Sequence, residues 1–270
     1  MKIFCKIYKK EEIFLKCCLN SHQTPEYLNK ADELRILYKD RHKIIDFVEA
    51  YPNKTIILDM KGYDGLIEWD NIKRYKIMTR NNFIIALNSL TDISFCKKEN
   101  IKFYWNFPVN TFYDLKALKN LGAEYALIES PIFHDIAVAA EIGIKLRVVP
   151  NVAYYAFIPR EDGVCGSWIR PEDLYLYESF IDVIEFEDCD LKKEQALYRI
   201  YFEQKAWPGD LGMIITNLNY PGVNRMIPQE LTAKRMTCGQ RCQSGSHCRL
   251  CYRYLDLANP ELLEKYKKNN

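Results

Sequence analysis

The fold is decided by residues 103–149, which read FYWNFPVNTFYDLKALKNLGAEYALIESPIFHDIAVAAEIGIKLRVV. Short apolar runs, each predicted as a strand, alternate here with amphipathic runs that are predicted as helices. The two joints from helix to strand match one another, and each carries a glycine, Gly122 or Gly143, where a helix end favours one. Repeated strand–helix units build a parallel sheet, because their crossovers are right-handed.

Outward from this segment, the same alternation recurs along most of the chain. The predicted strands are Lys2–Tyr8, Thr55–Asp59, Tyr75–Thr79, Ile101–Asn106, Tyr125–Glu129, Lys145–Val149, Val183–Glu187 and Gly212–Thr216. The predicted helices are Asn81–Lys98, Thr111–Leu121, Phe133–Ile142, Arg170–Phe180 and Leu191–Lys205. Several strands are apolar on both faces, which is typical of parallel strands buried between layers.

Eight strands in a chain of 270 residues predict a closed (β/α)8 barrel of the TIM type, for which roughly 250 residues is typical. A doubly wound open sheet is the alternative, although no glycine-rich phosphate loop follows the first predicted strand. We expect residues 1–216 to form the barrel and residues 217–270 to form a tail packed on it. The long connection Asn151–Ile169 follows the sixth predicted strand, where a lid or site element is expected.

Composition narrows the environment and the partners. The formal net charge of +2 gives no general attraction to nucleic acid, so such a contact would need a local basic patch. The N-terminus lacks the apolar region of a signal peptide, and no apolar run is long enough to span a membrane. We therefore expect a cytoplasmic protein without membrane contact, whose ten cysteines are mostly reduced.

Four cysteines of the tail have the spacing C-x3-C-x5-C-x2-C, at Cys238, Cys242, Cys248 and Cys251. Four thiolates this close in sequence can surround one zinc ion or one four-iron, four-sulfur cluster, and ligand type does not separate the two. Basic residues surround the motif, and they would either balance the thiolate charge or bind phosphate or RNA. They are Lys234, Arg235, Arg241, Arg249 and Arg253.

Polar residues near the ends of the predicted strands are the candidate catalytic and binding groups, because barrel enzymes place their chemistry at the carboxyl ends of the strands. The candidate acid–base groups are Asp59, Glu129 and Glu187. The candidate substrate-binding groups are Lys61, Arg80, Asn106, Arg147 and Asn151. Structural roles are the alternative: carboxylates at strand ends often cap helices, and Arg147 would pair with Glu129 or Glu185.

A barrel with a long late loop and a four-cysteine site resembles the collagenase-like peptidase family, which includes iron–sulfur hydroxylases that act on RNA or quinone precursors. The resemblance runs from Asn106 to Cys251 and includes the segment LGAEYALIESP. It implies an iron–sulfur cluster bound by the four tail cysteines, with redox or hydroxylation activity instead of proteolysis. The tight packing of the cysteines in one tail departs from the family, whose members spread them through the later barrel.

Two functions follow from these observations. The first is an enzyme that carries a metal cluster and acts on an RNA base or a small anionic metabolite. The second is a non-catalytic assembly or binding protein that uses a zinc-tied basic tail, as a homo-oligomer or within a larger assembly. Barrels are predominantly enzymes, but a fold does not by itself establish a function.

Overall fold

Eight parallel strands close into a barrel, which confirms the predicted fold class. The computed structural model describes residues 15–63, 65–80, 82–109, 112–129, 139–152, 154–155, 166–167, 169–186, 190–203, 207–209 and 211–216. The barrel strands are β1 (Lys16–Asn20), β2 (Glu33–Leu37), β3 (Thr55–Asp59), β4 (Phe83–Leu87), β5 (Lys102–Trp105), β6 (Tyr125–Glu129), β7 (Lys145–Val149) and β10 (Val183–Ile184). The two-stranded hairpin formed by β8 (Tyr154–Tyr155) and β9 (Gly166–Ser167) lies in the connection that follows β7.

Each strand from β1 to β6 pairs with the next strand along the chain, and β10 closes the barrel between β7 and β1. The pairing of β2 with β3 and of β6 with β7 extends over five residue pairs in each case. The seam between β1 and β10 has two such pairs, Lys16 with Val183 and Cys17 with Ile184. Closure therefore depends on a short ladder between the first and last strands of the barrel.

Helices cover the outside of the barrel and bury one face against the strands. They are α1 (Pro25–Lys30), α2 (Ile44–Ala50), α3 (Trp69–Met78), α4 (Ile93–Lys98), α5 (Phe112–Asn120) and α6 (Leu191–Phe202). Residues such as Leu34, Ile85 and Leu146 point outward from the strands and pack in the large apolar layer beneath these helices. None of the helices in the described ranges is both long and apolar enough to cross a membrane.

Four of the joints that lead from a helix into the next strand share one backbone feature. A residue with positive φ precedes each of four consecutive strands, β4 to β7: Arg80 at 51°, Asn100 at 51°, Gly122 at 80° and Gly143 at 72°. Glycine adopts this left-handed conformation without steric cost, as the sequence indicated at two of the four joints. At the other two joints, Arg80 and Asn100 adopt the left-handed conformation although each has a side chain.

Three of the eight predicted strands do not belong to the described barrel. Tyr75–Thr79 was predicted as a strand, but this prediction is wrong, because its residues up to Met78 form the end of α3. Gly212–Thr216 contains a 3₁₀ turn at Leu211–Met213, and Thr216 makes an isolated parallel bridge to Val152. The predicted strand Lys2–Tyr8 lies outside the described residues.

Their places are taken by β1, β2 and β4. The predicted helix Asn81–Lys98 is wrong in its first half, which forms β4, whereas α4 occupies its second half. Because two strands, β1 and β2, precede β3 where one was predicted, the long connection follows the seventh strand and not the sixth. The predicted tail, residues 217–270, lies outside the described residues, so the proposed division of the chain stays a prediction.

Candidate active site

Asp59 ends β3 and Asn106 follows β5, and their side chains meet at the carboxyl ends of these two strands. Such a meeting is expected, because parallel strands of one barrel end at the same mouth. Nδ2 of Asn106 donates a hydrogen bond of 2.7 Å to Oδ1 of Asp59. The same oxygen accepts a 2.7 Å hydrogen bond from the backbone N–H of Lys61. Asn106 Nδ2 also lies 3.2 Å from Oδ1 of Asn88, which follows β4. Three consecutive strands thus fix the position of one carboxylate.

The surroundings of Asp59 raise the pKa of its carboxyl group. Burial raises the pKa of this carboxyl above its ordinary value, and the negative charge of Glu185 adds to the rise. The positive charges of Arg35 and Lys61 and the hydrogen bond from the Lys61 backbone oppose the rise without cancelling it. Asp59 is 2% exposed, so desolvation dominates. A carboxyl group of raised pKa exchanges protons closer to neutral pH than an exposed aspartate does.

Lys61 follows Asp59 on the same loop and its side chain is exposed. Its charge is close enough to Asp59 to act on the carboxyl pKa, as noted above. The structure therefore brings together three of the predicted site residues, Asp59, Lys61 and Asn106. A buried carboxyl, an exposed ammonium and an amide at one mouth of the barrel can hold a polar anionic molecule and transfer a proton.

Arg147 was predicted as a substrate-binding residue, but the structure places it in the middle of the barrel. Its side chain is completely buried, with Nη1 2.6 Å from Oε2 of Glu33 and Nη2 2.8 Å from Oε2 of Glu185. The guanidinium also lies over the ring of Tyr104, 4.6 Å from its centroid. The alternative in which Arg147 pairs with Glu185 is what the structure contains, so Arg147 is a core residue held by two carboxylates.

Arg35 of β2 extends this ionic cluster toward Asp59. Its Nη2 forms an ion pair with Oε2 of Glu185, and its Nε lies 3.9 Å from Oδ2 of Asp59. The order of contacts through the barrel interior is Glu33, Arg147, Glu185, Arg35, Asp59. We call these five residues the interior charge chain. Its three carboxyl groups outnumber its two guanidinium groups, which is consistent with the raised pKa of Asp59 at its end.

Arg80 does not lie at the carboxyl ends of the strands. Because Tyr75–Thr79 is helical, Arg80 occupies the joint between α3 and β4, at the opposite end of the barrel from Asp59. Asn151 follows β7 and is completely buried, with its Nδ2 3.5 Å from Oγ1 of Thr216 and its carbonyl oxygen bound by the Thr216 N–H at 2.6 Å. Neither residue is brought beside Asp59 by these contacts.

The remaining predicted site residues lie partly or wholly outside the described residues. Glu129 is the last residue of β6, and only its backbone is described. Glu187 and the four tail cysteines, Cys238, Cys242, Cys248 and Cys251, are not among the described residues. The catalytic roles of Glu129 and Glu187 stay predictions.

Sequence analysis missed Arg35 and Glu33 as parts of the interior, and it named Glu185 only as an alternative partner of Arg147. The signal in β2 was the alternation of Glu33 and Arg35 with Leu34 and Ile36, which is the period of a strand. Here the polar set faces the barrel interior and the apolar set faces the helices, the reverse of the usual expectation for a sheet with one wet face. Because Glu33 and Arg35 are charged, this short segment was not predicted as a strand.

The comparisons with known proteins give likenesses in structure alone. No family model matches the chain, and no curated protein matches it by sequence. Among solved structures, 3-keto-L-gulonate-6-phosphate decarboxylase from Vibrio cholerae is 15% identical, with a TM-score of 0.44 over 70% of this chain and 95% of that one. The 3-hexulose-6-phosphate synthase from Salmonella typhimurium is 13% identical, with a TM-score of 0.41 over 71% and 99%. The N-(5′-phosphoribosyl)anthranilate isomerase from Pyrococcus furiosus is 13% identical, with a TM-score of 0.41 over 70% and 100%.

Two predictions are wrong: the resemblance to the collagenase-like peptidase family and the metal cofactor. The solved structures that the chain resembles are named as a decarboxylase, a synthase and an isomerase, and not as collagenase-like peptidases. None of these names denotes an iron–sulfur or zinc protein, which contradicts the predicted cofactor. Within the described part of the chain, no group of three or more His, Cys, Asp or Glu side chains is placed to hold a metal ion. The peptidase, iron–sulfur and RNA-modification activities therefore have no support.

Proposed function

We propose that the barrel is an enzyme that acts on a small anionic metabolite at the carboxyl ends of its strands, with Asp59 as the acid–base group. The observation that carries the proposal is the carboxyl group of Asp59, which is buried, raised in pKa and held by Asn106 and the Lys61 backbone. Enzymes with this fold place their catalytic groups at this end of the barrel. A fixed carboxyl with a raised pKa suits proton transfer.

Lys61 supports an anionic substrate. Its side chain is exposed, and its positive charge acts on the pKa of the largely desolvated Asp59 carboxyl. An exposed cation beside a buried polar site attracts the anionic group of a ligand. The reacting part of that ligand can then contact the buried groups, Asp59 and Asn106. In this arrangement Lys61 binds the phosphate or carboxylate of the metabolite, while Asn106 keeps Asp59 in place.

The alternative function, an assembly protein with a basic contact surface, rests on the tail beyond residue 216. Those residues lie outside the described structure, so this alternative and the contact with RNA stay predictions. A cytoplasmic location is part of our proposal, because small anionic metabolites of this kind are substrates of cytoplasmic chemistry.

Binding of simple anionic metabolites to the full chain tests the proposal. Dihydroxyacetone phosphate, glycerol 3-phosphate and 2-phosphoglycolate would be titrated by calorimetry, with neutral dihydroxyacetone as the reference. We expect at least one anion to bind, and Lys61→Met to weaken its binding about tenfold, since a single ion pair at a partly desolvated site is lost. Lys98→Met, an exposed lysine of α4, is the matched control and should leave binding unchanged. Equal affinity for the neutral reference and the anions would contradict the proposal.

A further inference from the structure

The last contact of the interior charge chain is longer than a hydrogen bond. Nε of Arg35 and Oδ2 of Asp59 are 3.9 Å apart, which is too far for a direct hydrogen bond. Among the described residues, Nε of Arg35 has no hydrogen-bond partner although it is buried. The side chains of Arg35 and Asp59 are 11% and 3% exposed, so bulk water does not satisfy this donor.

A second polar group nearby is also without a partner. The hydroxyl of Tyr104 is buried and has no hydrogen-bond partner within the described ranges. Burial, and then the charge of Glu185, raise the pKa of this hydroxyl well above its ordinary value, so it remains a proton-bearing donor. Arg147, Arg35 and Asp59 also act on this pKa, which places Tyr104 within electrostatic range of the same cluster. Buried donors that lack protein partners commonly receive a water or a ligand atom.

A second nitrogen of the same guanidinium holds Arg35 in place. Its Nη2 pairs with Oε2 of Glu185, and the same carboxylate is fixed by Nε and Nη2 of Arg147 at 3.1 and 2.8 Å. Glu33 in turn holds Arg147. Arg35 therefore has its Nη2 committed to Glu185, while its Nε lies beside Asp59 without a hydrogen-bond partner among the described residues. Such fixed donors stabilise developing negative charge without rearrangement.

We propose that an oxygen atom of the substrate lies beside Arg35 and Asp59, within hydrogen-bond distance of both Nε and Oδ2, which makes Arg35 a catalytic residue. The inference rests on the proposed function and specifies its substrate as an anionic metabolite that also carries a reacting hydroxyl. That hydroxyl transfers its proton to Oδ2 of Asp59, the electron pair of the broken O–H bond stays on the oxygen, and the resulting oxyanion lies against Arg35. In the reverse direction the protonated Asp59 returns the proton to the oxyanion.

Two substitutions of Arg35, assayed with two probes, test this assignment. The probes are dihydroxyacetone phosphate, which has both a phosphate and a hydroxyl group, and inorganic phosphate, which has only the anionic part. Arg35→Met should weaken binding of dihydroxyacetone phosphate about tenfold or more and leave the affinity for inorganic phosphate unchanged. Arg35→Lys keeps the charge beside Glu185 but has no Nε, so it should show the same selective loss. Equal loss for both probes, or full affinity in Arg35→Lys, would overturn the assignment.

A crystal structure of the unliganded full chain separates this assignment from the proposed function. A water oxygen within hydrogen-bond distance of both Arg35 Nε and Asp59 Oδ2 supports the oxygen site, even where neither probe binds. In that case the proposed function fails and the oxygen site stands. A direct hydrogen bond between the two side chains in that crystal structure would leave no place for the oxygen and would refute the assignment.

Discussion

Nη1 of Arg147 and Oε2 of Glu33 lie 2.6 Å apart in the barrel interior, where both side chains are at most 1% exposed. Glu33 is the first residue of β2 and Arg147 the third of β7, so the contact joins two non-adjacent strands across the barrel. A packed apolar interior needs no such pair. The pair instead continues into the interior charge chain, which ends at Asp59.

Arg147→Met should lower the free energy of unfolding by about 3–5 kcal/mol, because it leaves Glu33 and Glu185 buried without their common partner. Urea unfolding followed by circular dichroism measures this change. Lys145→Met is the matched control, since Lys145 lies on the same strand but is 53% exposed, and its ion pair with Glu124 should contribute at most about 1 kcal/mol. Similar losses in the two variants would argue against a structural role for the interior charge chain.

Asp59→Asn should become more stable relative to the wild type as the pH rises. The pKa of Asp59 is raised in the folded state, mainly by burial, so the unfolded chain loses its proton first as pH increases. The wild type therefore loses stability from about pH 4, the ordinary range of an aspartate, up through the raised pKa, and asparagine removes this loss. Charged groups that face Asp59 are Arg35, Glu185 and Lys61.

Urea unfolding at several pH values between about pH 4 and about pH 7 measures the difference between Asp59→Asn and the wild type. Asp46→Asn, on the exposed surface of α2, controls for the loss of one negative charge. A difference that shrinks as the pH rises would show that Asp59 is stabilised in its charged form. The charged form of Asp59 would then contribute to the stability of the fold.

Arg80→Gly should raise the free energy of unfolding by about 0.5–1 kcal/mol, because Arg80 has a φ of 51° that glycine adopts without strain. The binding of dihydroxyacetone phosphate should not change, since Arg80 lies at the end of the barrel opposite Asp59. Arg74→Gly, an exposed position within α3, should instead lower stability by about 1 kcal/mol. Weaker binding in Arg80→Gly would restore Arg80 to the list of substrate-binding residues.

Glu194→Ala should destabilise the region where the barrel closes. Oε1 of Glu194 accepts hydrogen bonds of 3.1 Å from both N and Nδ2 of Asn20, and Oε2 accepts one of 2.5 Å from Nε2 of Gln23. Removing the carboxylate leaves these partly buried donors unpaired, at a cost of about 2 kcal/mol or more. Hydrogen exchange should quicken in β1 and α6, while Lys192→Ala, exposed on α6, should change neither. Uniformly faster exchange throughout the barrel would exclude a local role.

Five of the eight barrel strands could be recognised from the sequence because their residues are mainly β-branched, aromatic or aliphatic. The segment FIIAL of β4 was misassigned, since Phe83, Ile84 and Leu87 fit helical spacing as well as a fully buried strand. In β2, Glu33 and Arg35 interrupt the apolar run, and no strand was predicted there. Their burial depends on partners in β7 and after β10, and one sequence cannot specify which distant residues will meet.

The part of the candidate site that could be predicted consists of residues at the ends of recognised strands. Asp59, Lys61 and Asn106 follow strands that were recognised, so their meeting at one mouth could be expected. Arg35 could not be recognised, because its strand was not, and Arg80 was misplaced because a helix had been read as a strand. The pKa of Asp59 could not be anticipated either, since it depends on burial and on Glu185.

The short seam between β1 and β10 has a consequence for how this chain folds. Residues 16 and 17 pair with residues 183 and 184, so the seam joins the two ends of the barrel across almost the whole described chain. Such contacts have a large loop-closure entropy and contribute to a high contact order, whereas β2 to β7 pair between neighbours in sequence. We therefore expect the barrel to assemble as a growing open sheet and to close last, through two residue pairs and the Glu194 carboxylate.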